Sequence, residues 1–244
     1  MDEEQAQAYG AFLSQRRAEL VERIASAARR ASRDPRDVTL AAVSKTVDVD
    51  GVVAAWHAGY RVFAENRPQE LTRKLAGLAA HPEVSPVRFD LIGNLQTNKV
   101  NQVLAAAPAL IHSISSLHLA AAVSKRADAR GLCVPILLEV NVSGEATKSG
   151  FTPQGVREAL DELLGLPGIR VEGLMTMAPA ADAAAARRSF CGLRELRDEL
   201  APATDSGLPT LSCGMSGDFE IAVEEGSTLV RLGRIVFSPE YLLG

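Results

Sequence analysis

A lysine that directly follows an apolar run is the first residue here whose setting suggests chemistry: VTLAAVS (38–44) leads into Lys45 and Thr46. An amine at the end of a buried strand is partly desolvated. Desolvation favours its neutral form, which attacks a carbonyl carbon. Lys45 thus reads as a Schiff-base nucleophile, or else as a solvated loop lysine of the common kind. The segment Gly214-Met215-Ser216-Gly217-Asp218-Phe219-Glu220 has the small residues of a tight loop opening into a helix. Free backbone N–H groups there can hold a phosphate, and the alternative is plain N-capping by Ser216. Gly233 permits close backbone approach, and Arg234 beside it adds charge. Arg231 lies inside the apolar run LVRLG, so its buried guanidinium needs either a ligand or a carboxylate such as Glu139.

Other reactive residue types carry less. His57, His81, His112 and His118 have no metal-ligand spacing and suit a helix surface or a satisfied core position. Cys133, Cys191 and Cys213 are dispersed with no CxxC pair, which fits a reducing compartment and gives neither a zinc nor a disulfide framework. Glu220, Glu224 and Glu225 read as a solvated helix face. Met175 and Met177 either line a site or pack in the core. Asn141-Val142-Ser143 matches a glycosylation sequon, which has no meaning in a cytoplasmic protein.

The elements that must position these residues alternate along the chain. Eight β-rich runs recur, at 38–44, 60–65, 88–93, 110–115, 135–142, 171–177, 210–215 and 229–234. Most are continuously apolar, as strands covered on both faces should be. Between them lie stretches rich in Ala, Leu, Glu and Arg, at 48–58, 67–80, 116–130, 152–164, 183–200 and 217–225. Eight strand–helix units predict an α/β fold with a parallel sheet closed into a single (β/α)8 TIM barrel. An open doubly wound sheet is the structural alternative, but VSKTVDVDG lacks the glycine-rich fingerprint that usually follows its first strand. In a barrel, chemistry gathers where strands end, and Lys45, Asn66, Met215, Ser216, Arg231, Gly233 and Arg234 all fall there. Residues 3–32 form one further amphipathic helix, with Leu13, Leu20, Ile24, Ala27 and Ala31 on a single stripe and Ser32-Arg33-Asp34-Pro35 as its stop. Residues 1–35 then pack on the barrel, and 1–244 form one domain.

Composition narrows the function. Hydrophobic residues are 47% of 244, charged residues 23%, and the net charge is −4, with no basic block. Nucleic-acid binding needs a concentrated basic footprint and is not expected. The start MDEEQAQ is acidic where a signal peptide is basic. Residues 100–124 carry no formal charge, but Asn101, Gln102, Pro108 and His112 divide them into helix, turn and strand rather than a membrane span. A cytoplasmic location follows.

Taken together, VSKT (43–46), AENRPQE (64–70), IGNLQTNK (92–99), LLEVNVSGEATKSGF (137–151), GLMTMAP (173–179), LSCGMSGDFEIAVEEGSTLVRLG (211–233) and the terminal F-x-P-E-Y resemble a known family. They look like the pyridoxal phosphate homeostasis proteins, relatives of the alanine racemase N-terminal barrel, and the resemblance spans nearly the whole chain. It implies pyridoxal 5′-phosphate as cofactor, with Lys45 forming the internal aldimine and Arg231 facing the pyridine nitrogen. It also implies that Met215, Ser216, Gly233 and Arg234 hold the phosphate and that Asn66 lies near the cofactor. Three positions depart from the family pattern. Asn94 stands where His is frequent, Arg234 where Thr or Ser is common, and VFSPEY lacks the usual glycine after phenylalanine.

The resemblance leaves two functions open. A protonated ring nitrogen makes this cofactor a strong electron sink, and an arginine cannot accept that proton. Racemisation also needs a second base, and Tyr9, Tyr60 and Tyr241 lie in no catalytic motif. The favoured expectation is a carrier that binds and buffers pyridoxal phosphate, possessing no turnover of its own, with pyridoxal-phosphate-dependent apoenzymes as partners. The alternative is a low-activity amino-acid racemase. A barrel aldolase using Lys45 is a third reading. Neither membrane nor nucleic acid is a predicted partner, and the expected state is a monomer.

Overall fold

The structure, a computed structural model, describes residues 3–241. The expected alternation is present throughout. Helix α1 (Glu3–Arg30) precedes β1 (Thr39–Val43), α2 (Val49–His57), β2 (Val62–Glu65) and α3 (Pro68–Leu78). There follow β3 (Arg88–Leu91), α4 (Val100–Ala106), β4 (Leu110–Ile114), α5 (Leu117–Asp128), β5 (Val134–Glu139) and α6 (Pro153–Leu164). The chain continues through β6 (Ile169–Met175), α7 (Ala183–Leu200), β7 (Thr210–Ser212), α8 (Phe219–Glu224), β8 (Leu229–Leu232) and α9 (Arg234–Phe237). The eight strands form a closed barrel in chain order, all parallel, with β8 returning to β1 so that Arg231 lies level with Ala41. Closure excludes the open doubly wound sheet. Among the described residues no helix is long and apolar enough to cross a membrane.

Local chemistry sets where each helix starts. Asp48, Ser116, Thr152 and Asp182 each accept a hydrogen bond from the backbone N–H three residues on, at the starts of α2, α5, α6 and α7. Proline opens α3 and α6, where its missing N–H costs nothing. The segments left between a strand end and such a start are the loops at the mouth of the barrel. Except for β2, the strands end earlier than the apolar runs suggest, so the last residues of those runs belong to these loops.

Helix α1 buries Leu13, Leu20, Ile24, Ala27 and Ala28 against α2, α8 and α9. It ends at Arg30, with Ala31 in the following turn and Ser32 at φ 55°, outside the helical region. Because α9 is only 4 residues long, α1 covers the side of the barrel that an eighth long outer helix would cover. Its polar face is not free either. Arg23 and Arg30 pair with Glu220, Arg30 and Arg187 with Glu224, and Arg187 and Arg194 with Glu225. The expected solvated face of α8 is therefore an ion-pair network joining α1, α8 and α7.

Along a strand, side chains alternate between the two faces of the sheet. Register carries the inner face round the barrel: Val43 beside Ala64, Ala64 beside Asp90, Asp90 beside Leu110. Beyond the irregular β4–β5 pairing it continues as Glu139 beside Met175, Met175 beside Ser212, and Ser212 beside Leu229. The apolar members of this face form two small clusters, Ala41–Val43–Ala64–Leu229 and Leu110–Leu137–Met175, apart from the large core between sheet and helices. Barrel interiors are usually filled by bulky branched residues. Here Ala41 and Ala64 are small, and Asp90, His112, Glu139, Ser212 and Arg231 are buried with them.

Candidate functional site

The loops after β1, β2, β3, β6, β7 and β8 enclose a cavity of about 880 Å³. Lys45, Asn66, Met215, Ser216, Arg231, Gly233 and Arg234 all line it, so the fold brings the seven sequence-predicted residues to one place. Met175 and Met177 line it too, the first buried and the second 40% exposed.

Lys45 enters from the β1 end. Its side chain is exposed in the mouth rather than partly desolvated as expected, because the loop carries it beyond the last buried residue, Ser44. It has no hydrogen-bond or ion-pair partner among the described residues. Immediately behind it the β1 and β2 ends are fastened by polar groups that sequence reasoning missed. Ser44 Oγ donates to Glu65 Oε1 at 2.6 Å, and Lys74 of α3 donates to the Ser44 carbonyl at 2.5 Å and pairs with Glu65. Ser44, Glu65 and Lys74 are fully buried, and Glu65 Oε2 has no partner. A surface lysine on an amphipathic helix would have looked the same in sequence.

Asn66 follows Glu65, and its backbone is pressed against Gly93. A Cβ on Gly93 would lie 1.8 Å from the Asn66 carbonyl oxygen, so only glycine lets the β3 loop pass. Ser113 Oγ fixes that loop by donating to the Gly93 carbonyl at 2.5 Å.

At the β7 end, Gly214 takes φ 93°, turning the chain sharply before α8. The expected cap by Ser216 is absent: Asp218 holds the N-cap position of α8 and makes no side-chain cap hydrogen bond into the helix. Its carboxylate instead turns back and accepts the Met215 N–H, at 2.6 Å. The N–H groups of Ser216 and Gly217 and the Ser216 hydroxyl have no acceptor or donor partner among the described residues. The Met215 amide is spent inside the loop, while the next two, on residues that line the cavity, are unpaired. At the β8 end, a Cβ on Gly233 would meet only Val43, at ordinary contact distance, so protein packing by itself does not demand a glycine there. Arg234 beside it is exposed and unpaired.

Arg231 is 5% exposed. Its Nη1 donates to Ser212 Oγ at 2.7 Å and its Nη2 to the Thr176 carbonyl at 3.1 Å. The carboxylate alternative is thus replaced by neutral acceptors, and Glu139 makes no hydrogen bond to it. Burial pushes the guanidinium pKa down, while the charges of Cys213, Asp218 and Glu139 pull it up. Burial likewise raises Glu139 and Asp218, each opposed in part by Arg231. Arginine remains a cation throughout this balance.

The cavity also draws on residues outside the seven expected ones. Tyr241 lines it, held because Arg16 of α1 donates to the Tyr241 carbonyl at 3.0 Å. Tyr9 instead donates to the Phe237 carbonyl, and Tyr60 is buried in the core. Asn94 and residues 179–183 complete the rim. In the stretch APAADAAAA (178–186) the first half walls the cavity and the second half opens α7 at Ala183. The sequon residue Asn141 spends its amide on the carbonyls of Glu145 and Lys148.

The site is thus the mouth of a closed parallel (β/α)8 barrel that carries a free lysine, a buried arginine and unpaired amides. Residues 16–240 match the family described as "Alanine racemase, N-terminal domain". The pyridoxal phosphate homeostasis protein of Aquifex aeolicus (strain VF5) is 40% identical over 224 residues, covering 91% of this chain and 96% of that one. Its namesake from Pseudomonas aeruginosa is 40% identical over 221 residues, covering 90% and 92%. Among solved structures, PipY of Synechococcus elongatus PCC7942 with PLP bound is 32% identical, with a TM-score of 0.80 over 93% of this chain and 100% of that one. The chain belongs to the alanine racemase N-terminal domain family and, within it, to the pyridoxal phosphate homeostasis proteins.

Proposed function

We propose that this protein binds pyridoxal 5′-phosphate at the barrel mouth and serves intracellular vitamin B6 homeostasis as a carrier. The single observation that carries the reading is the grouping of unpaired donors in one cavity: the Lys45 amine, the Ser216 and Gly217 amides, and the exposed Arg234. Donors without acceptors suit a phosphorylated aldehyde in kind and in number. When bound, the cofactor supplies an electrophilic aldehyde carbon and an aromatic ring that can accept electrons. Lys45 is the amine placed to bond that carbon. Ser216, Gly217, Gly233 and Arg234 hold the phosphate, and Met215 shapes their loop through its bond to Asp218. Arg231 donates to the ring nitrogen, and Asn66 lies along the ring. A permanently protonated donor at that nitrogen leaves it unprotonated, which weakens carbanion stabilisation and favours holding over turnover.

In this reading residues 1–244 act as one cofactor-binding domain, with 1–35 as its N-terminal packing segment. The protein works as a monomer in the cytoplasm and passes cofactor to pyridoxal-phosphate-dependent apoenzymes. Protein incubated with pyridoxal phosphate becomes yellow, and borohydride reduction leaves a pyridoxyl group on Lys45. Protein that stays colourless and unmodified overturns the reading. Lys45→Ala loses the covalent link and keeps weaker, phosphate-anchored binding.

Tyr241 favours a second reading, a low-activity amino-acid racemase, because a phenol in the cavity is a possible partner base to Lys45. Holoprotein incubated with L-alanine in deuterated water separates the two. The carrier leaves the α-proton in place, whereas α-deuteration with D-alanine, lost in Tyr241→Phe, establishes the racemase.

A further inference from the structure

Beneath the cavity a row of buried polar side chains crosses the barrel interior. Both Arg88 Nε and Arg88 Nη2 donate to Asp90, at 2.9 and 3.0 Å. His112 Nε2 lies 3.2 Å from Asp90 Oδ2, and His112 Nδ1 lies 2.9 Å from Ser212 Oγ. Ser212 Oγ then accepts from Arg231 Nη1 at 2.7 Å. Four strands contribute, β3, β4, β7 and β8, and Asp90, His112 and Ser212 have no exposed surface. The row starts at Arg88, whose side chain is 41% exposed, and ends on the guanidinium in the cavity wall.

Donor and acceptor rules leave one arrangement of protons. Arg231 can only donate, so Ser212 Oγ accepts from it and must send its own hydrogen elsewhere. The neighbour available is His112 Nδ1, which therefore accepts. Asp90, gripped by both Arg88 nitrogens, accepts from His112 Nε2. His112 is then neutral, as its burial requires: desolvation holds its pKa below the ordinary value despite Asp90, and Arg231 and Arg88 push the same way. An arginine stands at both ends, and neither releases a proton. The row therefore cannot conduct protons. What it can do is fix the direction of Arg231.

We propose that Asp90, His112 and Ser212 are positioning residues that lock the Arg231 guanidinium and so set the donor it presents to the pyridine nitrogen of the cofactor. The proposal rests on the pyridoxal phosphate reading for its consequence, but not for its geometry. Ser212 holds Nη1 and the Thr176 carbonyl holds Nη2, so the guanidinium plane is fixed from two sides. Removing the serine hydroxyl frees one side and leaves His112 Nδ1 without a donor. Outer hydrogen-bond partners of this kind change ligand affinity by about 10- to 100-fold in metal sites, and a similar scale applies to an oriented guanidinium.

The test uses the whole chain with Ser212→Ala and Asp90→Asn. In apoprotein, 15N spectra of the side chains show His112 as the Nε2–H tautomer and Arg231 with restricted rotation, which Ser212→Ala releases. In holoprotein loaded with pyridoxal phosphate, both variants remain folded by circular dichroism, shift the visible absorption band, and release cofactor about tenfold faster on dilution. A purely structural role moves the melting temperature and leaves the band in place. If Ser212→Ala does not fold, Ser212→Cys, which keeps the volume with a weaker acceptor, carries the same expectation. Folded variants with the wild-type band and release rate overturn the proposal, as does a protonated or Nδ1–H His112 in apoprotein. If wild-type protein shows no band with added pyridoxal phosphate, the functional reading fails, and the tautomer and rotation of Arg231 still decide the lock.

Discussion

Lys74→Met is the most demanding single test of how the mouth is held. Lys74 and Glu65 are both fully buried, and the ammonium satisfies Glu65 Oε1 and the Ser44 carbonyl at once. Methionine fills the same volume without charge. It leaves the carboxylate of Glu65 buried with only Ser44 Oγ as donor, its Oε2 having none to begin with. Removing one member of a buried pair typically costs about 3–5 kcal/mol. For a domain of this size, where 1 kcal/mol shifts the melting temperature by about 2–4 °C, that is a fall of roughly 6–20 °C. Replacing both members should restore most of the loss, because a buried pair and a hydrophobic pair of similar volume are often about equally stable. The residual deficit in Lys74→Met/Glu65→Leu comes from the buried Ser44 hydroxyl, which loses Glu65 and keeps only the Ala64 carbonyl at 3.5 Å, and is about 1–3 kcal/mol; the Ser44 carbonyl keeps the Val47 N–H. Thermal and urea unfolding of the wild type, both single variants and the double variant complete the cycle. A Lys74→Met fall below about 1 kcal/mol, or a double variant no better than the single, would refute the view that this pair holds the β1 and β2 ends beside Lys45.

Other outcomes follow from burial. His112 stays neutral in the folded protein while the unfolded chain protonates near its ordinary value, about 6.5. The unfolded state then binds more protons, so stability is held above that pH and falls as pH drops below it, by up to about 1.4 kcal/mol per unit. Urea titrations at several pH values measure the slope, and an identical slope in a folded His112→Asn variant would contradict this source. Burial pushes the Cys213 thiol up to about 11, whereas Cys133 is exposed. Native protein should therefore react with a thiol reagent quickly at Cys133, with Cys213 reacting only on unfolding; equal rates would rule out the buried placement. Glu225→Gln breaks the half-buried links to Arg187 and Arg194, and a loss of about 1 kcal/mol or less, reduced by salt, is expected from unfolding curves.

The sequence by itself determined the alternation of eight apolar runs with helices, because hydrophobic periodicity and capping residues act locally. It also placed every one of the seven nominated site residues at a strand end, since in a parallel barrel all strand ends share one face. Tertiary structure decided which partner each polar group found. Arg231 could have met Glu139, yet the barrel's register carried Ser212 and the Thr176 carbonyl to it instead. Ser216 looked like a cap until the turn at Gly214 swung Asp218 onto the Met215 amide. Lys74, Asp90 and His112 gave no sign of which partners they would find, because those partners lie between 2 and 100 residues away, most of them on strands whose spacing only closure fixes. Tyr241 is tied beside the cavity in part by Arg16, 225 residues earlier. Periodicity is a property of neighbours in the chain, whereas hydrogen-bond direction and buried charge depend on which strands become neighbours in space.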